Sequence, residues 1–243
     1  MIKVLVFNEF LHEKDPACKA SEIYPKGIHQ CIADFLGTQD DITVDTVTLD
    51  DENCGITPEK LKQTDVLIWW GHMAHGRVPD EVAAMVQEAV LDGMGVIFLH
   101  SAHKSKPFMK LLGTSCSLTW RESGDLERLW VTAPYHPIAK GIGRYFEIPE
   151  DETYAEPFGI PTPEEIVFMT WFTGGELFRS GCTWQRGNGK VFYLQPGHET
   201  FPIYYDKNIQ TVITNAVRWA APVYRSEKCM DCPCLPKAHQ SGL

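Results

Sequence analysis

Six of the nine histidines in this 243-residue chain fall directly after runs that read as strands. Asn8, Glu9 and His12 follow the first run, and Gly71, His72, His75 and Arg77 follow Trp70. His100, Ser101, His103 and Lys104 follow Leu99, while Gly197, His198 and Glu199 lie just past Leu194. An imidazole can move a proton near neutral pH or ligate a divalent metal. His198 is the first candidate base, with Glu199 or Glu9 to orient it. Asn8, Glu9, His72, His75, His100 and His103 are the groups expected to hold a polar ligand or stabilise developing negative charge. Ser101 is a candidate nucleophile provided that His198 deprotonates it and an oxyanion hole is at hand. His12 and His100 are the two most readily explained as loop anchors or helix caps.

Further along, Trp120-Arg121-Glu122 combines the aromatic, cationic and carboxylate groups of a polar ligand's wall. Trp120 and Glu122 join the candidate binding set, with surface ion pairing as the plainer reading. Trp69 and Trp70 could also present a ring to a ligand, although the core is the simpler place for Trp69. Two arrangements could hold zinc. One is the pair His72/His75 or His100/His103. The other is Cys229, Cys232, Cys234 and His239, a Cys-x-x-Cys-x-Cys with a nearby histidine. No Gly-x-Gly-x-x-Gly follows the first strand, so neither NAD nor another nucleotide is expected.

Residues of these types must be positioned by something, and the chain supplies a regular frame. Lys3–Phe7, Ile42–Leu49, Val66–Trp70 and Gly95–Leu99 read as strands. The third and fourth are uniformly apolar, as strands of a parallel sheet are when both faces are covered. Apolar spacing between Ile23 and Leu36 predicts a helix face. Thr57-Pro58-Glu59 opens a second helix and Pro79 a third, which stops at Gly93. Alternating strand and helix imply a doubly wound, mostly parallel α/β sheet of flavodoxin-like type. Its ligands would bind at the carboxyl ends of the strands. From about residue 113 shorter strands follow (Glu127–Thr132, Ile166–Trp171, Glu176–Trp184, Lys190–Leu194), with Arg186-Gly187-Asn188-Gly189 as a tight hairpin. An amphipathic helix carrying Ile209, Val212, Ile213, Ala216, Val217 and Trp219 closes the domain. The expected organisation is one domain over residues 1–222 with an antiparallel extension, then a Cys-containing tail over 223–243.

Composition narrows the function classes. A formal net charge of −10 provides no basic field for nucleic acid or an anionic membrane. No apolar run approaches the roughly 20 residues that span a bilayer, and the first residues lack the pattern of a signal peptide. The expectation is a cytoplasmic protein whose eight cysteines are thiols or metal ligands. Its apolar content leaves a homo-oligomer open.

Several separate motifs together resemble the ThuA-like, trehalose-utilisation family. They are Phe7-Asn8-Glu9-Phe10, Ile23-Tyr24-Pro25-Lys26-Gly27-Ile28-His29, Trp70-Gly71-His72-Met73-Ala74-His75, Leu99-His100-Ser101-Ala102-His103 and Gln195-Pro196-Gly197-His198-Glu199-Thr200. The resemblance covers residues 1 to about 222. It implies a class I glutamine amidotransferase-like fold and a place in sugar catabolism, beside a sugar dehydrogenase that produces 3-keto sugars. Amidotransferases of that class carry a nucleophilic cysteine in a Gly-x-Cys-x-Gly turn after a central strand, and a late His-Pro-Glu. Here the turn has neither cysteine nor flanking glycines, and the late motif survives as adjacent His198-Glu199. Glutaminase chemistry is therefore not expected. Acid–base chemistry on a sugar or keto-sugar is expected instead, with a non-catalytic sugar-binding module or a zinc-dependent hydrolase as alternatives.

Overall fold

The computed structural model describes residues 1–224, so the candidate ligands Cys229, Cys232, Cys234 and His239 lie outside the described residues. The apolar runs become strands and the periodic stretches between them become helices. In chain order these are β1 (Ile2–Asn8), α1 (Ala20–Ile23), α2 (Ile28–Leu36), β2 (Ile42–Thr48), α3 (Pro58–Gln63), β3 (Val66–Trp70), α4 (Asp80–Leu91), β4 (Gly95–Leu99) and α5 (Lys106–Leu112). Then follow β5 (Thr119–Val131), β6 (Tyr145–Ala155), β7 (Glu165–Phe172), β8 (Leu177–Arg186), β9 (Gly189–Leu194) and α6 (Lys207–Ala220). All nine strands join one sheet in the order β2-β1-β3-β4-β9-β8-β7-β5-β6. The first five in that order are parallel and the remaining pairings are antiparallel. With β9 in the fifth place, the parallel half has the 2-1-3-4-5 order of flavodoxin-like sheets.

Each parallel strand buries side chains on both faces. On one face Leu5, Phe7, Leu67, Trp69, Val96 and Phe98 pack against Leu61, Val82, Val86, Phe108 and Leu111 of α3, α4 and α5. On the other, Val4, Val6, Ile68, Trp70, Ile97 and Leu99 meet Ile28 and Ile32 of α2 and Ile209, Val212, Ile213 and Val217 of α6. Trp69 stacks on Phe7 with ring centroids 4.0 Å apart. Trp70 is fully buried and donates its indole N–H to the Gly197 carbonyl at 3.2 Å. Neither ring can present a face to a ligand.

Three details depart from the sequence reading. The helix expected from Ile23 begins at Ile28, after a break at Pro25 and Gly27. Proline biases the residue before it away from the helical region, and Gly27 sits at φ +89°, where a Cβ would collide with the His29 ring. Strand β5 starts at Thr119, eight residues before the expected Glu127, and Thr119 to Ser123 are all exposed. Strand β6 was not foreseen at all. It contains Pro149 and four acids, which argue against an internal strand, but it is the edge strand of the sheet, where proline is tolerated.

Candidate active site at the carboxyl rim

Register sets the rim. Asn8 of β1 is level with Trp70 of β3, Trp70 with Leu99 of β4, and Leu99 with Leu194 of β9. The residues that follow this row, Glu9, Gly71, His100 and Gln195, therefore leave the sheet side by side. Sequence-predicted residues from four segments do converge here, but they do different work.

Asn8 and Glu9 build the rim from behind. Asn8 Nδ2 donates to Glu13 Oε1 at 2.7 Å and faces His29 Nδ1 at 3.0 Å, while its side-chain Oδ1 accepts from the Phe10 N–H at 3.0 Å. Glu9, buried, accepts the backbone N–H groups of His72, Met73 and Ala74 at 2.8, 3.0 and 2.7 Å. Its carboxylate folds the loop after β3 and so aims His72; it does not touch His198 by any hydrogen bond or ion pair among the described residues.

The exit of β4 has the backbone shape of a nucleophile elbow, a strained strand-to-helix turn, with His100 at φ +52°. That region is costly for a residue with a Cβ, of order 1–3 kcal/mol, and the surroundings hold it in place. His100 is completely buried, meets the Gln195 carbonyl through Nδ1 at 2.8 Å, forms an ion pair with Glu152 through Nε2 at 3.0 Å, and stacks on Tyr154. The Glu152 carboxylate beside Nε2 favours the charged ring, an imidazolium, while the Tyr154 hydroxyl also lies 3.4 Å from Nε2. Burial opposes that charge, yet Glu152, Asp151 and the Gln195 carbonyl together push its pKa up to about 9. Burial would also raise the Glu152 carboxyl, and His100 more than offsets it, leaving Glu152 below the usual range.

Ser101 Oγ pairs with Tyr154 Oη at 3.0 Å and makes no hydrogen bond to an imidazole among the described residues. His103 gives its Nδ1 to the Cys116 carbonyl at 2.7 Å, and burial pushes its pKa down to about 3. Burial likewise lowers His75. Cys116 is buried and its thiol is raised by that burial, which makes it a poor nucleophile. The pairs His72/His75 and His100/His103 do not sit together in any cluster of three metal-donor residues among the described residues.

The exit of β9 is different. Asp151 of β6, fully buried, accepts the N–H groups of Gly197 at 3.0 Å and His198 at 3.2 Å and so fixes the turn. Gly197, at φ +152°, lies so close to the Tyr204 hydroxyl that a Cβ would collide with it. Burial pushes the Asp151 carboxyl up to about 6, beside a buried Glu127 that is raised well above the ordinary value by burial and by Asp151. His198 Nδ1 meets Thr200 Oγ1 at 2.8 Å; its Nε2, buried, has no hydrogen-bond partner. Burial pushes this imidazole down to about 4, against the pull of Glu199. Glu199, also buried, turns Oε1 to His72 Nδ1 at 3.2 Å and to His12 Nε2 at 3.6 Å, and leaves Oε2 without a hydrogen bond 3.8 Å from His198 Nδ1. Burial works against its ionisation, but the neighbouring histidines, His72 foremost, hold it well below the usual carboxylate range. Glu122, largely exposed on β5, reaches to 4.0 Å from His198 Nε2. Trp120, two residues before it, is 63% exposed. Arg121 is bound away from the site by Glu176 and Asp125.

Glu152, Asp151 and Tyr154 are site residues that the sequence reading missed. The acidic run after Pro149 was their only signal. His12, read as a loop anchor, instead joins His72 and Glu199.

Comparison with known proteins now places the chain. A family model described as ThuA, trehalose utilisation, matches residues 3–220. The chain belongs to the ThuA family. A ThuA-like structure from Parabacteroides merdae is similar at a TM-score of 0.68 and 16% identity, covering 94% of this chain and 92% of that one. Another from Bacteroides uniformis reaches 0.63 at 18% identity, covering 90% of each. A Thermoplasma acidophilum protein described as a GMP synthase subunit reaches 0.55 at 10% identity, covering 90% of this chain and 93% of its own. The fold of this ThuA protein is accordingly class I glutamine amidotransferase-like. No curated protein matches the sequence. Among the described residues no helix is long and apolar enough to cross a membrane.

Proposed function

We propose that this ThuA protein acts in the cytoplasm on a sugar or keto-sugar derived from trehalose or a related disaccharide, by acid–base chemistry centred on His198 and Glu199, and that it has no amidotransferase activity. One observation carries the reading. His198 Nε2 and Glu199 Oε2 are buried at the same strand exit, and neither has a hydrogen-bond partner. Buried polar atoms are ordinarily paired, so a pair left free at a strand's carboxyl end suits a ligand that arrives later.

In the tautomer whose Nδ1 donates to Thr200 Oγ1 (2.8 Å), in place of accepting the Thr200 backbone N–H (3.3 Å), Nε2 presents a lone pair, the form a base requires. It would move a proton at a carbinol, at a carbon next to a carbonyl, or at a glycosidic oxygen. Glu122 and the exposed Trp120 ring would form the outer wall, the ring covering an apolar sugar face. Such a step moves protons only, so any oxidation of the sugar belongs to a separate dehydrogenase. Against glutaminase chemistry stands the elbow itself, where an ion-paired imidazolium replaces a thiol.

The test is proton NMR of trehalose and 3-keto-trehalose incubated with the full chain, beside an ammonia assay with glutamine. The reading predicts a new sugar product and no ammonia. Saturable sugar binding without any product would make the chain a binding module and overturn the enzymatic reading.

A further inference from the structure

His12, His72 and Glu199 come from three different strand exits, yet their donor atoms lie within 4.8 Å of one another. Glu199 Oε1 is 3.2 Å from His72 Nδ1 and 3.6 Å from His12 Nε2. Zinc binds imidazole nitrogen and carboxylate oxygen at about 2.0–2.2 Å, which puts neighbouring ligand atoms of a tetrahedron about 3.4 Å apart. The two contacts to Glu199 straddle that figure.

Two imidazoles facing one carboxylate oxygen can each donate an N–H to it, or can share with it one cation held between them. A divalent cation bridges both, and the second carboxylate oxygen, buried and without a hydrogen bond, offers it a further bond. Met73 Sδ lies 3.1 Å from the same His12 nitrogen. Two imidazoles and one carboxylate beside a thioether suit a borderline transition metal, whereas calcium and magnesium prefer oxygen alone. The arrangement is held from behind as well, since Glu9 fixes the loop that carries His72 and Asp151 fixes the turn that carries His198 and Glu199. His12 and His72 keep 16% and 20% of their side-chain surface exposed, so an ion there could retain water.

We propose that His12 Nε2, His72 Nδ1 and Glu199 form a site for one divalent first-row transition-metal ion, with remaining positions open to water or to a substrate oxygen. This is a different site from the cysteine-rich tail, and it does not depend on the substrate being a sugar.

The test is a titration of the chelator-treated full chain with Co(II), followed by visible absorption. A histidine–carboxylate site gives weak d–d bands, whereas the tail cysteines would add intense thiolate-to-cobalt charge transfer. The expected result is one cobalt per chain with sulfur-free bands. It should persist when Cys229, Cys232 and Cys234 are all changed to Ser. In Glu199→Gln and in His12→Ala affinity should fall about 100-fold or more, exceeding the usual loss from supporting residues. The two pocket variants are checked for folding by circular dichroism, and the partly exposed His12 makes the second the safer. Only sulfur-type bands, no binding, or unchanged affinity in folded pocket variants would overturn the proposal.

Discussion

The exits of β4 and β9 lie next to each other on the sheet, and they hold their histidines differently. At the end of β4, His100 spends both nitrogens on protein acceptors, Gln195 and Glu152, and accepts a left-handed backbone to do so. At the end of β9, His198 and Glu199 each keep an atom free although both are buried. The amidotransferase pattern carries its nucleophile on the turn after a central strand; here that turn carries His100 and Ser101. The antiparallel half of the sheet underlies both outcomes: β6 supplies Glu152 to neutralise His100 and Asp151 to fix the backbone of His198.

The sharpest way to break this contrast is to remove one half of the His100–Glu152 pair. Glu152→Ala leaves a buried imidazolium uncompensated, and urea unfolding should report a loss of about 3–5 kcal/mol. A loss under about 1 kcal/mol would mean that His100 is neutral.

A second effect is smaller and depends on pH. His100 holds its proton up to about pH 9 when folded, against 6.5 for a free imidazole. Its contribution to stability is therefore complete below about pH 6.5 and is lost as pH rises toward 9. The wild-type unfolding midpoint should fall across that window relative to His100→Gln, measured in parallel so that other ionising groups cancel. Equal slopes in the two proteins would count against the ion pair.

Ser101→Ala should do least. Only the hydrogen bond to Tyr154 is lost, worth about 1 kcal/mol net. A cost well above that would show that the hydroxyl carries more of the elbow than its contacts indicate.

How much of this was legible beforehand follows from what each segment must satisfy. β3 and β4 are buried on both faces, so Val66–Trp70 and Gly95–Leu99 are uniform apolar runs whose limits can be read directly. The rim residues follow from those limits, and His72, His100 and His198 were placed correctly on it. β6 shows no such run, because an edge strand tolerates Pro149 and its first half alternates with exposed positions, while its buried second half carries acids that pair with the rim. Glu152 and Asp151 were hidden for that reason. Nor could spacing distinguish a histidine whose ring is saturated from one whose ring is free. His100 and His103 belong to the same turn and both are buried, yet Glu152 charges the first against that burial, while burial outweighs the Cys116 carbonyl and keeps the second neutral. Asn8 and Glu9 were legible as rim residues, but only the contacts reveal that they face the loops behind it.

The central claim is that the reactive groups sit at the β9 exit while Ser101, the candidate nucleophile of the β4 turn, is inert. The most direct measurement compares turnover of 3-keto-trehalose by the wild type, Ser101→Ala and His198→Gln, with folding verified for each. The account predicts that Ser101→Ala retains wild-type turnover within about threefold, while His198→Gln loses roughly 10²–10⁴-fold, the range of a lost general acid or base. The reverse pattern, with Ser101→Ala inactive and His198→Gln active, would return the chemistry to the β4 turn and contradict the account.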